Sequence, residues 1–148
     1  MFRGKQKTVV DEDPELADKV AIEAEGLYRS EKMHCAEAVL MAVRNNFRPD
    51  IPGIVVHAAA GFGSGSGAGC ICGAVVGGTM ALGLVLQNDK KRVAALTRDL
   101  HKWFAEEYGA TCCKVILQTH KKICPLLTGK VAGKVAELLD AQAQGGIS

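Results

Sequence analysis

Apolar positions recur at helical spacing along most of this chain. Leu16, Val20, Ala24, Leu27 and Tyr28 form the first stripe. It follows a start signal at Asp13-Pro14-Glu15: a capping side chain, proline at the first helical position and an acid in the first turn. Gly26 inside this helix costs about 1 kcal/mol against alanine and points to a close crossing with another helix. Residues 1–12, polar and charged, read as a loose leader. A second helix is predicted from His34 to Phe47, with Ala36, Val39, Leu40, Val43 and Phe47 inward. Arg48-Pro49-Asp50-Ile51-Pro52 ends it, because each proline disfavours helical geometry at the residue before it.

The centre of the chain is less regular. Ile54 to Phe62 is apolar and suits either a buried helix or a strand. A glycine-rich loop follows, Gly61 to Gly69. Cys70 to Leu86 is apolar on all sides, as in a central buried helix. Gly69, Gly73 and Gly77 recur every four residues, so one face of that helix is nearly flat. Another backbone or a cofactor can approach it closely, and a homodimer contact would suit it as well as an internal one. Lys90 to Tyr108 is the clearest amphipathic helix, with Val93, Leu96, Leu100 and Trp103 inward and Gly109 as its stop. A short helix begins near Thr111 with Val115 and Ile116 inside, and Cys124-Pro125 interrupts it. Val131, Val135, Leu138 and Leu139 mark the last helix. The expected fold is all-α: a single-domain bundle of six or seven helices over residues 13–148, around a central helix rich in glycine and alanine.

Composition narrows the function classes. The chain has 148 residues, enough for a core that needs no covalent staples. A formal charge of +2 and 5% aromatic residues give neither the basic face nor the stacking platform that nucleic acid requires. The N-terminal stretch lacks an apolar signal segment, which leads to an expectation of a cytoplasmic protein with reduced thiols. The apolar run from Gly53 to Leu86 is long enough to raise a membrane span. It is dilute in large apolar residues and has no aromatic belt, so a membrane location is not expected.

Against that background the six cysteines stand out. Cys35 falls in the first turn of the second helix, Cys70 and Cys72 at the start of the central helix, and Cys112 and Cys113 at the start of the helix after Gly109. A thiolate at a helix N-terminus is stabilised by free N–H groups and the helix dipole, and thiolate is both the nucleophile and the metal ligand. Helical neighbours one or two apart do not face each other, so one member of each doublet is expected to work and the other to pack. Cys113 and Cys124 would stand about 16 Å apart in an unbroken helix. A shared site therefore needs a bend between about Thr119 and Pro125, which proline makes plausible. His34 and His120 are weaker candidates, each as readily a surface or capping residue. No C-x-x-C-H is present, so covalent haem is not expected.

The ordered set Cys35-Ala36-Glu37-Ala38-Val39, a glycine run, Cys72-Gly73-Ala74-Val75-Val76-Gly77, then Cys113 and Cys124 resembles the C_GCAxxG_C_C family of redox-active proteins. The likeness spans Glu31 to Leu139. The family is small and helical, and a related domain occurs in split-Soret cytochrome c beside a haem-binding part. The resemblance implies that Cys35, Cys72, Cys113 and Cys124 are the redox or metal residues, and that an iron–sulfur cluster is the cofactor. Cys70 and Cys112 are additions to the family pattern, and His34 stands where the family often has asparagine.

Several readings compete. Four thiolates would also suit zinc. A thiol–disulfide protein without metal is a second alternative, although the chain has no C-x-x-C in an α/β setting. A helical interaction module with buried structural cysteines is a third. Gly63 to Ala68 matches a relaxed dinucleotide-binding fingerprint, but that motif needs a strand before it, and no nucleotide site is expected. Catalytic residues, the electron-transfer partner and any substrate are not legible.

Overall fold

The computed structural model describes residues 14–145. The expected leader and the capping Asp13 lie outside the described residues. Six α-helices account for most of this span: α1 (Pro14–Arg29), α2 (Cys35–Phe47), α3 (Gly73–Leu86), α4 (Lys90–Tyr108), α5 (Cys113–Thr119) and α6 (Cys124–Gly145). The ambiguous segment is a 3-10 helix, Gly53–Phe62. Only Val56 and Ala59 of that segment are buried. It packs on α2 and α3. Because the glycine run follows a helix and not a strand, the dinucleotide-binding context is missing. Among the described residues, the extended pairing consists of one isolated antiparallel bridge between Ile71 and Cys112. An all-α bundle is therefore the observed architecture.

Helix α3 is the hub, in contact with α2, α4, α6 and the 3-10 helix, while α1 lies chiefly along α6. Its glycines explain how so many elements reach it. A Cβ on Gly77 would run into the Ala36 backbone of α2, and one on Gly78 would come within 3.0 Å of both Leu100 on α4 and Val135 on α6. Leu82, Leu100, Phe104, Val131 and Val135 fill the interior between these helices. The α1–α6 contact uses Gly129, whose Cβ would lie 2.9 Å from the Ala21 carbonyl oxygen, and Gly133. Gly26 plays no such part. Nothing lies within 4 Å of a Cβ there, so the expected close crossing at Gly26 is made from α6 instead.

Three other expectations shift. The central helix begins at Gly73, leaving Cys70 and Cys72 ahead of it. The inward stripe of α4 is Leu96, Leu100, Phe104 and Tyr108, with Trp103 at its margin. On α5 Ile116 is buried while Val115 is exposed. The Gly109 stop holds: at φ 80° it ends α4, and its N–H donates to the Ala105 carbonyl at 2.8 Å. The long apolar run from Gly53 is broken into a 3-10 helix, a loop and the 14-residue α3. No described helix is long and apolar enough to cross a membrane.

Candidate functional site

Four helix starts meet at one end of α3. Cys35 is the first residue of α2, Cys72 the residue that caps α3, Cys113 the first of α5 and Cys124 the first of α6. The chain breaks between Thr119 and Cys124, with Lys122 at φ 63°, so α5 and α6 are separate helices. Pro125 does not interrupt a helix as expected. It stands in the first turn of α6, where its missing N–H costs nothing. That break lets Cys113 and Cys124 face the same space.

Cys35, Cys72, Cys113 and Cys124 line one small cavity of about 50 Å³, together with Tyr28, His34, Leu117, Leu127 and Thr128. Larger clefts exist, such as one of about 280 Å³ beside Trp103 and Lys134, but its lining contains no sulfur. Two glycines make room for the thiols. A Cβ on Gly73 would sit 2.5 Å from Cys35 Sγ, and one on Gly65 would sit 2.9 Å from Cys113 Cβ. The glycine loop is more than a flexible connection. Ser64, Gly65, Ser66 and Gly67 are all left-handed, with φ between 56° and 70°. For the two serines this geometry is unfavourable by about 1–2 kcal/mol each. The turn sets the Ser64 backbone N–H against the Cys35 thiol.

Cys70 and Cys112 do not line the cavity. Cys70 is exposed, and its carbonyl accepts the Cys113 N–H at 2.6 Å. The Cys112 thiol donates to the Gly69 carbonyl at 3.0 Å. Together with the Cys72 N–H to Thr111 carbonyl bond of 2.8 Å, these contacts pin the start of α3 to the start of α5. Both extra cysteines thus stand at the junction that positions Cys72 and Cys113. His34 borders the cavity, and its backbone N–H donates to Glu37 Oε1 at 3.0 Å. His120 lies away from it, against Thr119 Oγ1 and the edge of Tyr108.

Electrostatics reverse one expectation. Helix starts were expected to lower the thiol pKa values, yet burial raises those of Cys35, Cys72 and Cys113. Cys72 is pushed up to about 12, by burial and then by the neighbouring Cys35, against the pull of the Ala74 and Val75 N–H groups. Cys35 is raised by burial, with further increases from Cys124 and Cys113, and Cys113 by burial, Cys124 and Cys112. Loss of water outweighs the helix N-termini because the sulfurs are enclosed and close to one another. Tyr28 is likewise pushed up to about 12, by burial and by the neighbouring Cys124. In the metal-free reduced protein these groups stay protonated in the fold while the unfolded chain ionises. Stability is therefore full below the usual thiol value of 9.0 and falls as pH rises toward about 12. Thermal melts at pH 7, 9 and 10.5 should show a progressive loss above pH 9, and a melting temperature flat across that range would contradict the burial described.

Two features of this site were not legible in the sequence. Thr128 is fully buried on α6, borders the cavity, and its hydroxyl has no hydrogen-bond partner. Tyr28 looks like one more position of an apolar stripe, and only the fold places it beside Cys124. Among the described residues, no three His, Cys, Asp or Glu side chains are disposed to hold a single metal ion. The four sulfurs border a space and do not converge on a point.

No curated protein and no solved structure matches the chain significantly. A family model does, described as "Putative redox-active protein (C_GCAxxG_C_C)", over residues 33–138. That span holds all four cavity cysteines and the glycine-bearing start of α3, and the chain belongs to the C_GCAxxG_C_C family.

Proposed function

We propose that this protein transfers electrons or senses redox state through an iron–sulfur cluster, or another soft metal centre, held by Cys35, Cys72, Cys113 and Cys124. The carrying observation is that these cysteines, from four separate helix starts, line one cavity. The donor chemistry fits: thiolates are the usual ligands of iron–sulfur clusters and of soft metals. The orphaned Thr128 hydroxyl fits too, because a buried donor without a partner calls for an acceptor in the space it borders. A cluster, when bound, supplies reversible electron exchange.

The chain's own residues would bind and tune such a centre. The N–H groups of Ser64 and Ala36 approach Cys35, and those of Ala74 and Val75 approach Cys72. N–H donors at ligand sulfur favour the more negative sulfur charge and influence the potential. Leu117 and Leu127 border the same cavity and limit water. A metal-free thiol–disulfide role is less well supported. That chemistry needs an accessible thiolate, and burial holds Cys72 protonated. A metal would instead supply the positive charge that the enclosed site lacks.

Anaerobic purification of the full chain with metal and sulfide analysis tests this reading. Iron, acid-labile sulfide and visible absorbance are expected; a colourless, metal-free protein after reconstitution would overturn it. Thr128→Val gives a separate check on the site. Valine keeps the shape and removes the unpaired hydroxyl, so the metal-free protein should keep its stability in urea or gain up to about 1 kcal/mol. A loss above about 2 kcal/mol would mean that the hydroxyl is bonded after all.

A further inference from the structure

We infer that the open face over α5, beside the cysteine cavity, is a docking surface for an acidic electron-carrier protein. The inference rests on the redox reading above and adds the partner. An open groove of about 530 Å³ runs along α5, lined by Ser64, Cys113, Lys114, Leu117, Gln118 and Lys121 among others. Ser64, Cys113 and Leu117 also line the cysteine cavity, so the groove and the cavity share a wall that includes one of the four cysteines.

Charge identifies the partner. Positions 108–136 contain no aspartate or glutamate and five lysines. Lys130 and Lys134 border the separate cleft that holds Glu107 and Asp18. Lys114 and Lys121 line the α5 groove with no carboxylate among its lining residues, and Lys122 follows in the exposed turn. Exposed apolar side chains are found in and around the groove, with Leu117 in its lining and others on α5 and the adjoining segments. Of six large apolar side chains exposed among the described residues, Val115 and Leu117 lie on α5, Ile71 precedes α3 and bridges to Cys112, and Leu126 is in the first turn of α6. Apolar contacts within a lysine rim suit a short-lived protein interface, and the lysines would steer an acidic partner and set its orientation. A lone anionic ligand has no use for the exposed apolar side chains.

The test uses the full chain, isotope-labelled, with an acidic flavodoxin as probe and a basic cytochrome c as control. Amide shifts on titrating flavodoxin should localise to residues 112–123 and the loop at 64–71. Lys114→Glu with Lys121→Glu should weaken flavodoxin binding at least tenfold, leave the visible spectrum unchanged and strengthen binding of cytochrome c. The neutral pair Lys114→Gln with Lys121→Gln should fall between, and raising the salt from 20 to 200 mM should weaken wild-type binding. Shifts elsewhere, an unchanged affinity in the charge-reversed variant, or equal binding of anionic lipid vesicles would overturn the proposal. Docking is read without electron transfer. Localised binding with no electrons passing between the proteins would count against the redox reading while leaving the surface standing.

Discussion

Cys72→Ser is expected to remove the visible absorbance and most of the bound metal from anaerobically prepared protein, with the fold intact. Cys72 is the most enclosed of the four cavity cysteines, at 7% exposure, and caps α3 at the point where the chain enters the core. Serine keeps the size and removes the soft ligand. It is also among the best residues for the capping position, where its oxygen can accept the Ala74 or Val75 N–H. That gain offsets the cost of burying a hydroxyl, about 1–3 kcal/mol if it were unpaired. Far-ultraviolet circular dichroism should stay unchanged while metal content falls to background. Retention of the full spectrum in this variant would remove Cys72 from the centre. Unfolding would point to a structural role, and Cys35→Ser, at a less buried position, provides the second reading of the same question.

Gly77→Ala is expected to lower stability by about 3 kcal/mol, through overpacking at the α2–α3 crossing. The added methyl would meet the Ala36 carbonyl oxygen and sit 2.9 Å from Ala36 Cα, and backbone cannot swing aside as a flexible side chain does. For a chain of this length the melting temperature should fall by roughly 10 °C. Because Ala36 follows Cys35, separation of α2 from α3 would also move one sulfur away from the others, so metal retention should fall with stability. Gly83→Ala on the same helix is the control. Nothing lies within 4 Å of its Cβ, so it should be neutral or stabilising by about 0.5–1 kcal/mol. Equal effects of the two substitutions would show that helix propensity, and not the close crossing, governs these positions.

The helices were readable because their signals are local. Pro14 and Glu15 start α1, Gly109 ends α4, and the apolar spacing of α2 needs no tertiary information. The four cavity cysteines were named through the ordered motif, and the need for a break before Pro125 followed from helix length alone. What sequence left open depends on distant contacts. Gly26 and Gly77 look alike in the chain, yet one faces open space and the other abuts a backbone. Phe104 and Tyr108 line the core because α4 is rotated by its contacts with α3 and α6, which spacing does not encode. Thr128 reads as a polar interruption in α6 and becomes informative only when its hydroxyl is seen buried and alone. The thiol pKa values reversed direction for the same reason: helix starts are visible in sequence, whereas enclosure is a property of the assembled bundle.

X-ray absorption at the metal edge of the anaerobic full-chain protein is the most direct measurement of the central claim. Sulfur alone is expected to be bonded to the metal, at about 2.3 Å, with the metal lost in Cys72→Ser, lost or one sulfur poorer in the Cys35, Cys113 and Cys124 serine variants, and unchanged in those of Cys70 and Cys112. A metal bound only by oxygen or nitrogen, or a spectrum indifferent to all four substitutions, would contradict it.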